Sequence, residues 1–222
     1  MASERPVLAV IGGTGKEGRG LVYRWVQAGY TVLVGSRTPA KAQALAEEIR
    51  VRVQQPDAPV HGLDNVEAAQ RAEIVVLSVP YSAHRVTLEA IREAVQGKIL
   101  VDVTVPLKPP RVTKVWLPPA GSAALEAQEI LGENVAVVDA FQNVAHTLLW
   151  EDGPIRAHVL VAGKGKVNRR RVMALVEDAG LRAWDAGPIE NTPVVEGLTS
   201  VLIYMNKAYG STHLGLQVTG ED

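Results

Sequence analysis

The sequence predicts an α/β protein: a doubly wound, mostly parallel sheet with a small C-terminal α/β unit. Three observations carry this. Short apolar runs recur at residues 7–11, 31–34, 72–80, 98–103 and 135–138, the pattern of strands buried on both faces of a parallel sheet. Segments of helical composition lie between them, joined by short connections, which is the signature of right-handed βαβ units. The first apolar run also leads straight into Gly12-Gly13-Thr14-Gly15-Lys16-Glu17-Gly18, where a strand turns tightly into a helix.

The elements follow in order. After the glycine-rich turn, residues 19–27 continue as a helix that Ala28-Gly29 closes, and residues 31–34 form the second strand. Thr38-Pro39 reads as a helix start, with threonine as N-cap and proline at the first helical position. Residues 41–50, rich in alanine and straight side chains, carry that helix onward. A short third strand is expected near residue 60 and a brief helix over 65–71. Residues 72–80 form the fourth strand. Apolar positions at helical spacing then define a helix over 81–95, and Gly97 stops it. A fifth strand, a proline-studded loop over 104–119, a helix over 122–131 and a strand over 135–138 complete the first unit. Beyond Asp139 the character changes. A polar and aromatic loop over 140–154 precedes a strand, a helix, a strand and a terminal helix from about residue 192 to 209. The expected division is therefore residues 1–139 and 140–222, with no flexible linker between them.

Composition bounds the chemistry. The chain has 222 residues, a formal net charge of −1 and no cysteine. The charge gives no electrostatic reason to expect nucleic acid or an anionic membrane as partner. Absence of cysteine excludes disulfides, thiolate catalysis, Cys-ligated zinc and iron–sulfur clusters, and fits a cytoplasmic location. The expected first strand begins at once after residue 6, leaving no room for a signal peptide, and no apolar stretch reaches the ~20 residues that span a bilayer. No pair of histidines and carboxylates has metal-ligand spacing, so no metal site is expected.

The glycine-rich turn is the sequence form of a dinucleotide pyrophosphate site in a Rossmann-type domain. Gly13 and Gly15 are expected to permit the turn and the close approach of backbone N–H groups, with Gly18 allowing tight packing of the helix. Thr14, Lys16 and Glu17 lie in the same turn, Thr14 and Lys16 as candidate pyrophosphate contacts. The second strand ends in Gly35-Ser36-Arg37, where an NAD-specific domain places an acid. A hydroxyl and a guanidinium stand there instead, with Lys41 one helical turn on. This trio attracts a 2′-phosphate that an aspartate would repel, so NADP(H) is the expected nucleotide. Ser78-Val79-Pro80-Tyr81 ends the fourth strand on the ligand side of the sheet, where nicotinamide-facing residues sit, and His84 follows. Asp102 and Asp139 end strands on that same side, as caps or as ligand contacts. The basic run from Lys164 to Arg171 reads as a solvated helix face.

Taken together these residues resemble the coenzyme F420-dependent NADP oxidoreductase family. The likeness rests on the Gly-Gly-Thr-Gly-x-x-Gly start, Val34-Gly35-Ser36-Arg37 and Val79-Pro80-Tyr81. It continues in Val137-Val138, in Asp185-Ala186-Gly187-Pro188-Ile189 and in Val195-Glu196-Gly197-Leu198-Thr199. The resemblance implies hydride exchange between NADP(H) and the deazaflavin coenzyme F420. It places the nucleotide on the N-terminal unit and the deazaflavin in a cleft closed by the C-terminal one, commonly in a homodimer. The cleft wall is then expected to include Pro80, Tyr81, Val105, Pro106, Phe141, Gln142, Asn143 and Val144. Direct transfer between stacked rings needs alignment and exclusion of water rather than a catalytic side chain. One departure stands out: where family members often carry a histidine, Ala140-Phe141 is followed by Gln142, expected to donate to a ring carbonyl, and a histidine comes only at His146. The competing readings are a flavin reductase, a small imine or carbonyl reductase, and a non-catalytic NADP(H)-binding sensor.

Overall fold

The computed structural model describes residues 5–220. The first unit runs β1 (Leu8–Ile11), α1 (Lys16–Gln27), β2 (Val32–Gly35), α2 (Pro39–Arg52), β3 (Val60–Leu63), α3 (Asn65–Arg71), β4 (Ile74–Leu77), α4 (Tyr81–Ile91), β5 (Ile99–Asp102), α5 (Ala123–Leu131) and β6 (Ala136–Asp139). The remainder adds α6 (His146–Trp150), β7 (His158–Gly163), α7 (Lys166–Asp178), β8 (Arg182–Gly187) and α8 (Thr192–Ala208). All eight strands join one sheet in the order β3-β2-β1-β4-β5-β6-β7-β8. Every neighbouring pair is parallel except β6 and β7. The change from β6 to β7, which is also where the sequence changes character, reverses the strand direction within a continuous sheet.

The inner strands β1, β2 and β4 are apolar on both faces because both are covered. Leu8, Val10, Val32 and Val34 point to one side and pack with Leu21, Trp25 and Ile49 of α1 and α2. Ala9, Ile11, Leu33, Val75 and Leu77 point to the other and pack with Ala68, Leu88, Ile91 and Ala124 of α3, α4 and α5. The strands are shorter than the apolar runs: β4 ends at Leu77, and Ser78-Val79-Pro80 is a connection rather than strand. The helix expected over 81–95 ends as an α-helix at Ile91, with a 3₁₀ turn over Glu93–Val95, and Gly97 follows at φ +76°. Thr38 is the N-cap residue of α2, yet its side chain makes no capping bond. The Ser36 hydroxyl instead accepts the Thr38 N–H at 3.2 Å, fixing the turn that enters α2.

Two contacts that the sequence did not announce lock α6 onto α1. A Cβ on Gly20 would lie 2.6 Å from Leu149 Cβ, so only glycine lets these helices meet this closely. Arg24 is buried, and its guanidinium donates to the carbonyls of Leu149 (3.0 Å), Gly153 (3.0 Å), Leu148 (2.9 Å) and Glu151. These bonds satisfy the C-terminal carbonyls of α6, which a five-residue helix cannot satisfy itself.

Candidate active site

Sheet order turns at β1 and β4, whose chain connections leave in opposite directions, so a crevice opens at their C-terminal ends. The glycine loop fills the lip of this crevice. Gly12 takes the left-handed conformation at φ +75°, and a Cβ there would sit 2.4 Å from Ser78 O. The turn therefore hinges on Gly12, not on Gly13 and Gly15 as the motif suggests; neither of those has a positive φ. Gly13 is required for packing, since its Cβ would lie 2.8 Å from Val10 O. Gly18 lets α1 sit on the loop itself, its Cβ position being 2.8 Å from Gly13 Cα and 2.9 Å from Gly12 O. Gly15 is the N-cap of α1 and offers no capping side chain. The first-turn N–H groups of Lys16, Glu17 and Gly18 thus have no intrahelical acceptor and no cap, at the positive end of the helix dipole. Such an end binds phosphate.

Two clefts meet at this loop. The first, about 210 Å³, is lined by Gly12, Thr14, Gly15, Ser36, Arg37 and Lys41, and further in by Asn65, Ser78, Val79 and Pro80. Arg37 and Lys41 are exposed and have no acidic partner among the described residues. Asn65 was legible only as the start of α3. In the structure it faces this cleft, and its buried Oδ1 has no partner.

The second cleft, about 460 Å³, shares Gly15, Ser78, Val79 and Pro80 with the first. Lys16 and Glu17 stand on one side, and Val103, Thr104, Val105 and Leu107 after β5 form the floor. Phe141, Gln142, Val144 and His146 close the far wall, with Thr199, Ile203 and Asn206 of α8 above them. Phe141 has φ +75°, a strained conformation for a bulky residue, held by edge-on packing against Trp25 at 5.8 Å. Gln142 overturns one expectation. Its Nε2 donates inward, to Asp102 O at 2.6 Å and to Asp139 Oδ1, so it has no donor left for a ring carbonyl. What remains unpartnered is the acceptor Oε1.

Several expected contact residues sit behind the wall. His84 is fully buried, with Nε2 bonded to Asp102 Oδ2 at 2.7 Å, and lines neither cleft. Burial alone would push its imidazole down, but the adjacent Asp102 carboxylate outweighs it and holds the ring above its ordinary value. Tyr81 points to the rim of α5, its hydroxyl donating to Glu126 Oε2 at 2.6 Å; burial and that carboxylate raise the phenol. Asn143 holds α8 through Val195 O and Thr199 Oγ1, both at 3.1 Å, and Thr199 Oγ1 donates to Gln142 O at 2.8 Å. Pro106 is buried and lines neither cleft. The sequence placed these residues by proximity to motifs, and chain proximity does not tell which side of a loop a side chain takes. His146, by contrast, lines the cleft; burial first and Lys16 second keep its imidazole below its usual value.

Under the floor lies a set of buried acids. Burial, then the charges of Glu196 and Asp102, hold the Asp139 carboxyl well above its ordinary range. Glu196 is raised by burial although it accepts the N–H groups of Ala123 and Ala124 at the start of α5. Glu17, at the cleft, is pushed up to about 8 by burial. In the basic run after β7, Lys164 pairs with Glu133 and Arg169 with Asp185, while Lys166, Arg170 and Arg171 are exposed. Among the described residues no cluster of His, Cys, Asp and Glu could hold a metal ion, and no helix is long and apolar enough to cross a membrane.

Comparison with known proteins agrees with this arrangement. Residues 7–106 match the family model described as NADP oxidoreductase, coenzyme F420-dependent. The chain is 35% identical over 219 residues to the F420-dependent NADP reductase of Methanocaldococcus jannaschii, covering 96% of this chain and 97% of that protein. It is 36% identical over 221 residues to the protein of the same description from Methanothermobacter marburgensis, covering 96% and 97%. A crystal structure of a putative F420-dependent NADP reductase from Arthrobacter sp. FB24 superposes with a TM-score of 0.81 at 26% identity, covering 97% of this chain and all of that one. The chain belongs to the coenzyme F420-dependent NADP oxidoreductase family.

Proposed function

We propose that this protein exchanges a hydride between NADP(H) and the deazaflavin coenzyme F420, with the nucleotide on residues 1–139 and residues 140–222 closing the deazaflavin side. The observation that carries this reading is the pair of clefts joined at Gly15 and Ser78-Val79-Pro80. One is basic and phosphate-seeking, the other is walled mainly by apolar side chains. The residues present fit both groups: an uncapped helix N-terminus for a pyrophosphate, unpaired Arg37 and Lys41 for a 2′-phosphate, and orphaned acceptors on Asn65 and Gln142 for ligand N–H groups. Bound, the nicotinamide supplies the hydride and the deazaflavin takes it up as an obligate two-electron carrier.

The chain's own contribution is binding and alignment. Arg37 and Ser36 grip the 2′-phosphate, and Lys41 adds charge. Val79, Pro80, Val105, Phe141 and Val144 present apolar surface that excludes water from the reacting rings. Gln142, fixed by its two inward bonds, offers one acceptor in a set position. Tyr81, His84, Pro106 and Asn143 position this wall from behind. No side chain is asked to act as acid or base, which suits ring-to-ring transfer. We further propose a cytoplasmic homodimer, supported by the exposed apolar face of α8 at Val201, Tyr204 and Met205. Nucleic acid has no part in this reading. The test is an anaerobic absorbance assay with NADPH and oxidised F420, run beside FMN, FAD and NADH. Bleaching of the deazaflavin by NADPH is expected. FMN reduction without deazaflavin bleaching would make the protein a flavin reductase, and binding of NADPH without oxidation by any acceptor would make it a sensor.

A further inference from the structure

Ring-to-ring transfer asks nothing of Glu17 as an acid or base. Glu17 is the second residue of α1 and lines the second cleft beside Lys16, opposite Phe141 and Gln142. Its Oε1 is sealed from solvent and has neither a hydrogen bond nor an ion pair among the described residues. Glu17 is half-buried, and a carboxyl oxygen sealed from water without a partner is costly; such groups concentrate where a ligand completes them.

The charged groups around it are few. Lys16 lies on its own helix, and the Arg19 guanidinium there donates Nη2 to Glu48 at 2.7 Å and lies over the face of Trp150, its Nε unpartnered. From α6 comes His146, whose imidazole is held below its usual value. The β4–α4 connection, the segment after β5 and α8 bring no charged side chain to this cleft. Among the described residues no charged group pairs with Glu17 Oε1, so burial alone biases its charge state and the ring that enters the cleft can reverse that bias.

We propose that Glu17 reads the redox state of the nicotinamide: its carboxylate favours the oxidised, cationic ring, and its neutral acid favours the reduced, uncharged one. This rests on the reading that the cleft holds the nicotinamide. Because the free carboxyl is pushed up to about 8 by burial, it is mostly protonated at neutral pH. Binding of NADP⁺ then expels a proton to solvent, while binding of NADPH does not. Affinity for NADP⁺ consequently weakens as pH falls below about 8, by up to about tenfold per unit.

The experiment is calorimetric titration of the intact protein with NADP⁺ and, separately, NADPH between pH 7 and 9, without a second substrate. In this window the His146 imidazole, held below its usual value, lies further from its titration than Glu17, and the 2′-phosphate contribution is common to both nucleotides. The ratio of the two dissociation constants should rise up to about tenfold from pH 8 to 7. At pH 7, titrations in two buffers of different ionisation enthalpy should show more proton release with NADP⁺ than with NADPH. Glu17→Gln should give a ratio that does not vary with pH. A flat ratio in the wild type, or an unchanged pH dependence in Glu17→Gln, overturns the proposal whether or not the protein reduces F420. If the variant does not fold, the wild-type ratio and proton count still decide. Failure of both nucleotides to bind overturns the nucleotide reading, and this proposal with it.

Discussion

Replacing Arg37 by alanine isolates the residue that decides which nucleotide is used. Arg37 stands at the end of β2 in the first cleft, exposed and without an acidic partner. Its removal therefore breaks no internal bond and costs the fold little, within about 0.5 kcal/mol. A hydrogen bond to a charged group contributes about 1.5–3 kcal/mol, and solvent screening at an exposed site argues for the lower half, about 2 kcal/mol. At 1.36 kcal/mol per decade this is about a thirtyfold rise in the dissociation constant for NADPH. NADH has no 2′-phosphate and should change less than about twofold. The assay is fluorescence titration with both nucleotides, repeated at low and high salt, because the NADPH effect should shrink as ionic strength rises. Equal losses for NADPH and NADH would refute the reasoning and place Arg37 away from the 2′-phosphate.

Further consequences follow from the packing and the buried charges. Gly18→Ala puts a methyl 2.8 Å from Gly13 Cα, which should cost about 1–3 kcal/mol in urea unfolding and abolish nucleotide binding. Arg24→Met strands the carbonyls of Leu148, Leu149, Glu151 and Gly153, should cost about 3 kcal/mol, and should raise KM for the deazaflavin more than for NADPH, because α6 carries His146 at the second cleft. Glu196 is raised above its unfolded value of 4.5, so the folded state keeps a proton the unfolded chain has lost, and this stability fades as pH climbs from 4.5 towards 8. His84, also raised, contributes fully below about 6.5 and loses its contribution as pH rises further. Urea stability should thus be greater at pH 6 than at pH 8.5, and Glu196→Gln should flatten that slope. Tyr204→Asp should turn a dimer into a monomer in sedimentation velocity.

The sheet and its helices were legible because burial on both faces leaves runs such as 74–77 and 99–102 that no surface element would tolerate. The nucleotide end was legible for a related reason. Glycines that admit backbone, and a basic pair where an acid is usual, are local signatures that a single loop expresses. The second cleft was harder. Its wall is assembled from at least five segments distant in sequence, and whether a side chain faces the cavity depends on bonds made behind it. His84 turns inward because Asp102, eighteen residues on in sequence, reaches its Nε2. Gln142 spends its amide on Asp102 and Asp139, and Asn143 spends its own on α8. Nothing in the order of residues states those pairings. Asn65, Thr199 and Asn206 were missed for the same reason, since each reads locally as part of a helix.

The central claim is direct ring-to-ring transfer, and isotope tracing tests it most directly. NADPH carrying deuterium at the transferring C4 position is mixed anaerobically with the protein and oxidised F420 in ordinary water. The reduced deazaflavin is then examined by mass spectrometry. Close to one deuterium per reduced deazaflavin is expected, because the hydride moves without meeting solvent. Reduced deazaflavin free of label would contradict direct transfer.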